Sequence, residues 1–248
     1  MVTKPTALQI SVKEIGGTLG KAIGLLAFLN LVTLVLEFGV GIDHAKGFVP
    51  RFRLSEETSV PTVFSVGLLL LLSTSLALVA AGSRVAGDPR TKQWSVLSII
   101  AAALAFDEGA TIHELFDDHT GWIDWLYEPS GFLAWPWVIA YGGIVIGFTI
   151  AFAPFFFSLS RRFQIIFGSA ALLYVGAAIG LEMLEAVAFE TLRAPLLFEI
   201  LASIEETMEM AGVSIAICGL VAYAQEYFGW QRVMFLHGET ITTQERLE

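Results

Sequence analysis

The chain has 248 residues, of which 55 % are hydrophobic and only 15 % charged, and its formal net charge is −10. Soluble domains carry about a quarter charged residues, so this composition excludes an ordinary soluble protein and points to one polytopic membrane bundle. The acidic balance argues against nucleic-acid binding and against a polybasic anchor on anionic lipid; the one cysteine, Cys218, excludes an internal disulfide and a thiolate zinc or iron–sulfur site.

Six segments approach the roughly 20 apolar residues a spanning helix needs. They cover about 22–41, 62–82, 94–115, 132–158, 163–189 and 197–224, and a polar tail follows at 231–248. Lys4, Lys13 and Lys21 precede the first span without a small-x-small cleavage site, so it is read as a retained helix. The loop at 42–61 is the longest and is expected to be the most mobile. The third span carries DEGATIHE in its second half. Helical periodicity through Asp107, Thr111, Glu114 and Asp118 predicts that the helix continues past Phe106. Lys and Arg total ten on the side of both termini and four on the other, which predicts cytoplasmic termini. An inner membrane of a bacterium is consistent with this topology. The 116–131 loop then faces outward, and Trp122, Trp125, Trp135 and Trp137 fit an interfacial belt.

Nine carboxylates fall within or beside these apolar stretches: Glu37, Asp107, Glu108, Glu114, Glu182, Glu185, Glu205, Glu206 and Glu209. A charge in a bilayer costs several kcal/mol unless it is neutralised, paired or hydrated. The spans supply no cations at these depths, so metal ions, protons or water must provide the compensation. With both termini inside, about 1.5 Å per residue places all nine in the outer half of the bilayer. Asp107 and Glu114 share a helix face, and Glu182 with Glu185, and Glu206 with Glu209, are i, i+3 pairs, while Glu205 is i, i+4 with Glu209. Asn30 and Thr33 lie on the Glu37 face. One carboxylate centre beneath the outer face is the economical reading, with Glu182, Glu185, Glu206 and Glu209 at its heart.

His113 lies off the Asp107–Glu114 face, and two readings stay open for it: a metal ligand, or an interfacial histidine bonded to a neighbour. The expected cofactor is a divalent ion, iron, manganese, calcium or zinc. An oxygen-rich set with at most one imidazole suits manganese, iron(II), calcium or magnesium better than structural zinc. Tyr174 is read as a core hydroxyl bonded to a backbone carbonyl, with a proton or redox relay as the alternative. Small-xxx-small patterns at Gly16, Gly20 and Gly24, at Gly143 and Gly147, and at Gly176 and Gly180 predict close helix packing or a homo-oligomer or membrane-complex interface.

The carboxylate pattern distantly resembles di-metal carboxylate helix bundles, whose sites pair Glu with Glu-x-x-His motifs. Helices five and six depart from that pattern with Glu-x-x-Glu, so oxygen activation does not carry over. The runs FDEGATIHE, YVGAAIGLEMLE and IEETMEMAG resemble those of a bacterial family of six-span membrane proteins without an assigned activity. Three functions follow as expectations: a membrane metal-binding protein or metalloenzyme, a proton or cation transporter or channel, and an accessory subunit with a structural ion.

Overall fold

The computed structural model describes residues 7–9, 11–112, 130–230 and 232–234. It is an all-α bundle. Helix α1, Val12–Leu34, starts where the Ser11 side chain accepts a hydrogen bond from the Glu14 N–H, and it runs on into a π-helical segment, Val35–Val40. A short helix α2, Phe48–Phe52, precedes α3, Val60–Val85, which Ser59 caps with Pro61 in its first turn. Helix α4 spans Thr91–Ala110 and α5 spans Trp137–Ser158. The next long rod is composite: α6, Arg161–Val175, a π segment at Gly176–Leu181, α7, Glu182–Ala186, and a second π segment at Val187–Thr191. Helix α8, Pro195–Phe228, is the longest and ends at left-handed Gly229. Strands β1, Ala7–Gln9, and β2, Arg232–Met234, pair antiparallel and bring the two terminal segments to one end of the bundle.

Among the described residues five helices are long and apolar enough to cross a membrane: Val12–Val40, Val60–Val85, Trp137–Ser158, Arg161–Thr191 and Pro195–Phe228. They fit an integral membrane protein. The third expected span is the exception. Helix α4 stops at Ala110, short of 115, because Thr111 turns left-handed with φ 48°. The regular face expected to run from Asp107 through Thr111 is therefore broken at Thr111.

Helix α8 packs against α1, α3 and α6, and α3 packs against α4. Across α3 and α4 the Ser73 and Ser98 hydroxyls each donate to the other residue's backbone carbonyl, at 2.8 and 2.9 Å. Such hydroxyl bonds link helices where no water is available. At the end carrying the termini, Trp94 is enclosed by Phe155, Phe167 and Tyr223, with ring centroids 4.9, 5.9 and 5.0 Å away. Leu76, Val79, Phe163 and Leu220 complete this core.

Close helix approach also occurs at glycines other than those the small-xxx-small patterns picked. A methyl group on Gly212 would lie 2.8 Å from the Ala170 carbonyl oxygen, and one on Gly219 would lie 2.6 Å from Ile166, which fixes the α6–α8 crossing. Among the patterned glycines, a methyl group on Gly16 would lie 3.3 Å from Cys218 Sγ, a close approach of α1 to α8, while one on Gly20, Gly24, Gly143, Gly147 or Gly180 would meet nothing within 4 Å and one on Gly176 would meet only Leu172 of its own rod.

The 42–61 loop is folded back against the bundle. Val49 and Leu54 are buried, Leu54 to 2 % exposure. The Leu54 N–H donates to Asn30 Oδ1 at 2.9 Å, and Asn30 Nδ2 donates to Ser203 Oγ at 2.6 Å. Asn30 is thus an anchor between the loop, α1 and α8.

Candidate functional site

A cavity of about 750 Å³ lies in the half of the bundle away from the paired terminal segments. Nine carboxylates line it, Glu56, Glu57, Asp107, Glu108, Glu182, Glu185, Glu205, Glu206 and Glu209, and no lysine, arginine or histidine among the described residues does. Seven of the ten residues singled out as metal ligands therefore converge. They come from α4, α7 and α8, one wall each.

The composite rod explains the placement of Glu182 and Glu185. A π segment adds a residue to a turn and so rotates everything after it. With one π segment on each side, the single α-helical turn Glu182–Ala186 presents Glu185 and Glu182 toward α8. One oxygen each from Glu182, Glu185 and Glu205 lie within 4.8 Å of one another. Glu185 is 3 % exposed, and its Oε1 has no hydrogen-bond partner among the described residues. A second group adjoins the first: Glu206 and Glu209, one turn apart on α8, line the cavity with Glu108 of α4, and Glu108 and Glu209 also border the small space beside it.

Neutral donors hold parts of this lining. Trp137 Nε1–H donates to Glu182 Oε1 at 3.3 Å, and the Tyr141 hydroxyl donates to Asp107 Oδ1 at 2.9 Å. Both donors sit on the first turns of α5. Trp137 is buried, and Trp135 also lines the cavity while packing edge-on against Phe198. These two tryptophans line the site at the end of α5 where an interfacial belt was expected; Trp122 and Trp125 lie outside the described residues. Tyr174 lines the cavity and an adjoining small space beside Glu108 and Glu209, so it is part of the acidic lining.

Glu37 is not part of the centre. It pairs with Arg53, which the loop carries into the bundle and which also stands 3.6 Å from Glu199 and 3.8 Å from Glu56. Arg53 is the compensating cation that a search confined to the spans missed, because it lies in a connecting segment. Its flanks, Val49, Phe52 and Leu54, are apolar, and that is the signal which marks it as buried. Glu199 was also missed; it is buried on the first turns of α8 and accepts a 2.7 Å hydrogen bond from Ser55. His113 and Glu114 lie outside the described residues.

The family described as Domain of unknown function (DUF8692) matches residues 22–224. The chain belongs to this family. The match takes in every described carboxylate of the centre as well as Arg53 and Glu199. No curated protein and no solved structure matches the chain.

Proposed function

We propose that this member of the DUF8692 family is an integral membrane protein that holds a divalent cation on Glu182, Glu185 and Glu205. Glu108, Glu206 and Glu209, with Asp107, form an adjoining group that could share the ion or take a second one. The observation that carries the reading is the orphaned Glu185 Oε1 inside a triad of carboxylate oxygens within 4.8 Å of one another. Three such groups in a low-dielectric interior repel unless a shared cation or protons sit between them. Ligand oxygens on one calcium ion lie up to about 5 Å apart, and those on one magnesium ion up to about 4 Å. Three carboxylates with no histidine or thiolate among them favour an ion that takes oxygen ligands, calcium or manganese, over structural zinc. A metal bound here could activate water, with a neighbouring carboxylate as base.

In this reading α4 is the sixth span. Its charged end is tolerated because Asp107 and Glu108 face the cavity. Both termini are cytoplasmic, as the distribution of Lys and Arg argues, and the membrane is a bacterial inner membrane. Reporter fusions at the C-terminus test the orientation. Transport is the weaker alternative, since the Trp94–Phe163–Tyr223 core lies between the cavity and the other end of the bundle and argues against a continuous ion path.

Elemental analysis of detergent-purified protein tests the cation. The parent is expected to hold one or two equivalents of a divalent metal after mild chelation, and a Glu185→Gln, Glu205→Gln variant to hold none. Background metal in both samples would sink the reading and leave protons as the compensating charge.

A further inference from the structure

The cavity has a second chemical character that the carboxylates do not explain. One to two helical turns from Glu182 and Glu108, its lining becomes hydrocarbon: Ile144, Val145, Phe148, Val175, Ala178 and Ile179. This part is open at the side. Helix α5 buries only Trp137 and Val138 along its length. Methyl groups placed on its Gly142, Gly143 or Gly147 would meet no atom within 4 Å, and neither would one on Gly180 of the facing rod. Ile144 is 66 % exposed and yet lines the cavity, so the same side chain borders both spaces. At about 1.5 Å per residue, Ile144 and Phe148 lie some 10 to 16 Å along α5 from Trp137. That depth belongs to acyl chains rather than to water. Trp94 and Phe155 close α5 against the bundle at its far end, and the Trp137 and Tyr141 bonds close it at the near end.

The geometry points to a membrane amphiphile as the ligand of this cavity: one hydrocarbon chain entering sideways between α5 and the α6–α7 rod, with a neutral, oxygen-bearing head at Glu182, Glu185 and Glu205. The volume suits a small-molecule ligand. Glu185 Oε1 has no hydrogen-bond partner among the described residues, which leaves the polar end a place for a ligand oxygen or ion. The charge selects the head group. A divalent ion offsets the charge of only two carboxylates among the nine that line the cavity, and an anionic head would add a further negative charge. A hydroxyl or carbonyl oxygen adds none and can ligate a hard cation. The inference rests on the cation reading only for what the head meets, not for where the chain lies.

The test uses the full chain in phosphatidylcholine vesicles with a long-chain primary alcohol that bears a photoactivatable diazirine on its chain. The fatty acid of the same chain serves as the comparison. Adducts are mapped by peptide mass spectrometry, and metal content is measured on the same preparation. Labelling at Leu104 and Val175, which line the cavity, is expected to saturate with the alcohol. Labelling at Ile146 and Ile150, on the exposed side of α5, is expected to rise linearly. Ala178→Trp, which fills the apolar end, is expected to abolish the saturable component. Val145→Trp, on the sparsely packed α5, makes the same test if the first variant does not fold. Linear labelling at every position, or saturation that survives both tryptophans, overturns the proposal. Equal saturation by the fatty acid overturns the neutral head. Saturation without bound metal sinks the cation reading alone, and metal without saturation sinks the amphiphile alone.

Discussion

An ionised Glu185, 3 % exposed and with one oxygen lacking a donor among the described residues, would carry a desolvation cost of several kcal/mol. A glutamine of the same shape carries no such charge. Glu185→Gln is therefore expected to leave the chelated protein as stable as the parent or more so, while its metal content falls. Thermal unfolding in chelator and elemental analysis read the two effects separately, and a large loss of stability in chelator would mean that Glu185 is already compensated within the protein. Arg53 presents the converse case. Its side chain is 11 % exposed and faces Glu37, Glu56 and Glu199, so Arg53→Met leaves buried carboxylates without their cation. Breaking a buried pair from one side costs roughly 3–5 kcal/mol. Adding Glu199→Gln should restore part of that loss in a denaturation series, and simple additivity of the two changes would argue against the pairing. Glu37→Gln is expected to leave metal content unchanged, because Glu37 belongs to the Arg53 pair and not to the cavity.

At the scale of the element, the two π segments set the phase of α7 and so bring Glu182 and Glu185 to the cavity. Deleting Gly180, which has open space around it, would convert Gly176–Leu181 toward an ordinary α-helix and rotate α7 by about 100° relative to α6. Such a protein should still insert and bind detergent as the parent does, yet lose the metal; unchanged metal content would show that the phase of α7 does not matter. A different element, the turn joining α3 to α4, depends on pH. Asp88 accepts hydrogen bonds from the Arg90 backbone N–H and guanidinium at 2.8 to 3.1 Å, and Arg90 lies over the Tyr223 and Tyr227 rings. The hydrogen bonds from Arg90 hold the Asp88 carboxyl below its ordinary value. A depressed value in the folded state means that the pair stabilises the fold above the unfolded carboxylate's pKa, about 3.9, and that this contribution disappears as pH falls through the folded one. Asp88→Asn should therefore lower the melting temperature at neutral pH, with the difference from the parent closing in acid. A difference that stays constant with pH would assign the effect to packing.

Across the whole molecule, common depth was the property the sequence could reveal. Helix position alone brought Asp107, Glu108, Glu182, Glu185, Glu205, Glu206 and Glu209 to one level, and the bundle gathers them around one cavity. Depth carries no information about azimuth, which is why Glu37 was grouped with them although it faces Arg53. Hydropathy treats a connecting segment as solvent, and so it hid Arg53, Glu56 and Glu57. Periodicity assumes an unbroken α-helix, and it failed where Thr111 turns left-handed and could not register the π segments. The centre also joins α4, which brings Glu108, to the packed pair of α7, which brings Glu182 and Glu185, and α8, which brings Glu205, Glu206 and Glu209. A cation bound among them cross-links these helices only in the folded state, so its binding energy adds to stability. At one hundred times its dissociation constant that linkage amounts to about 2.7 kcal/mol. The parent's melting temperature should rise with added calcium or manganese and fall with chelator, and the Glu185→Gln, Glu205→Gln variant should show neither response. A parent that ignores both additions while retaining its fold would place protons, not metal, between the carboxylates.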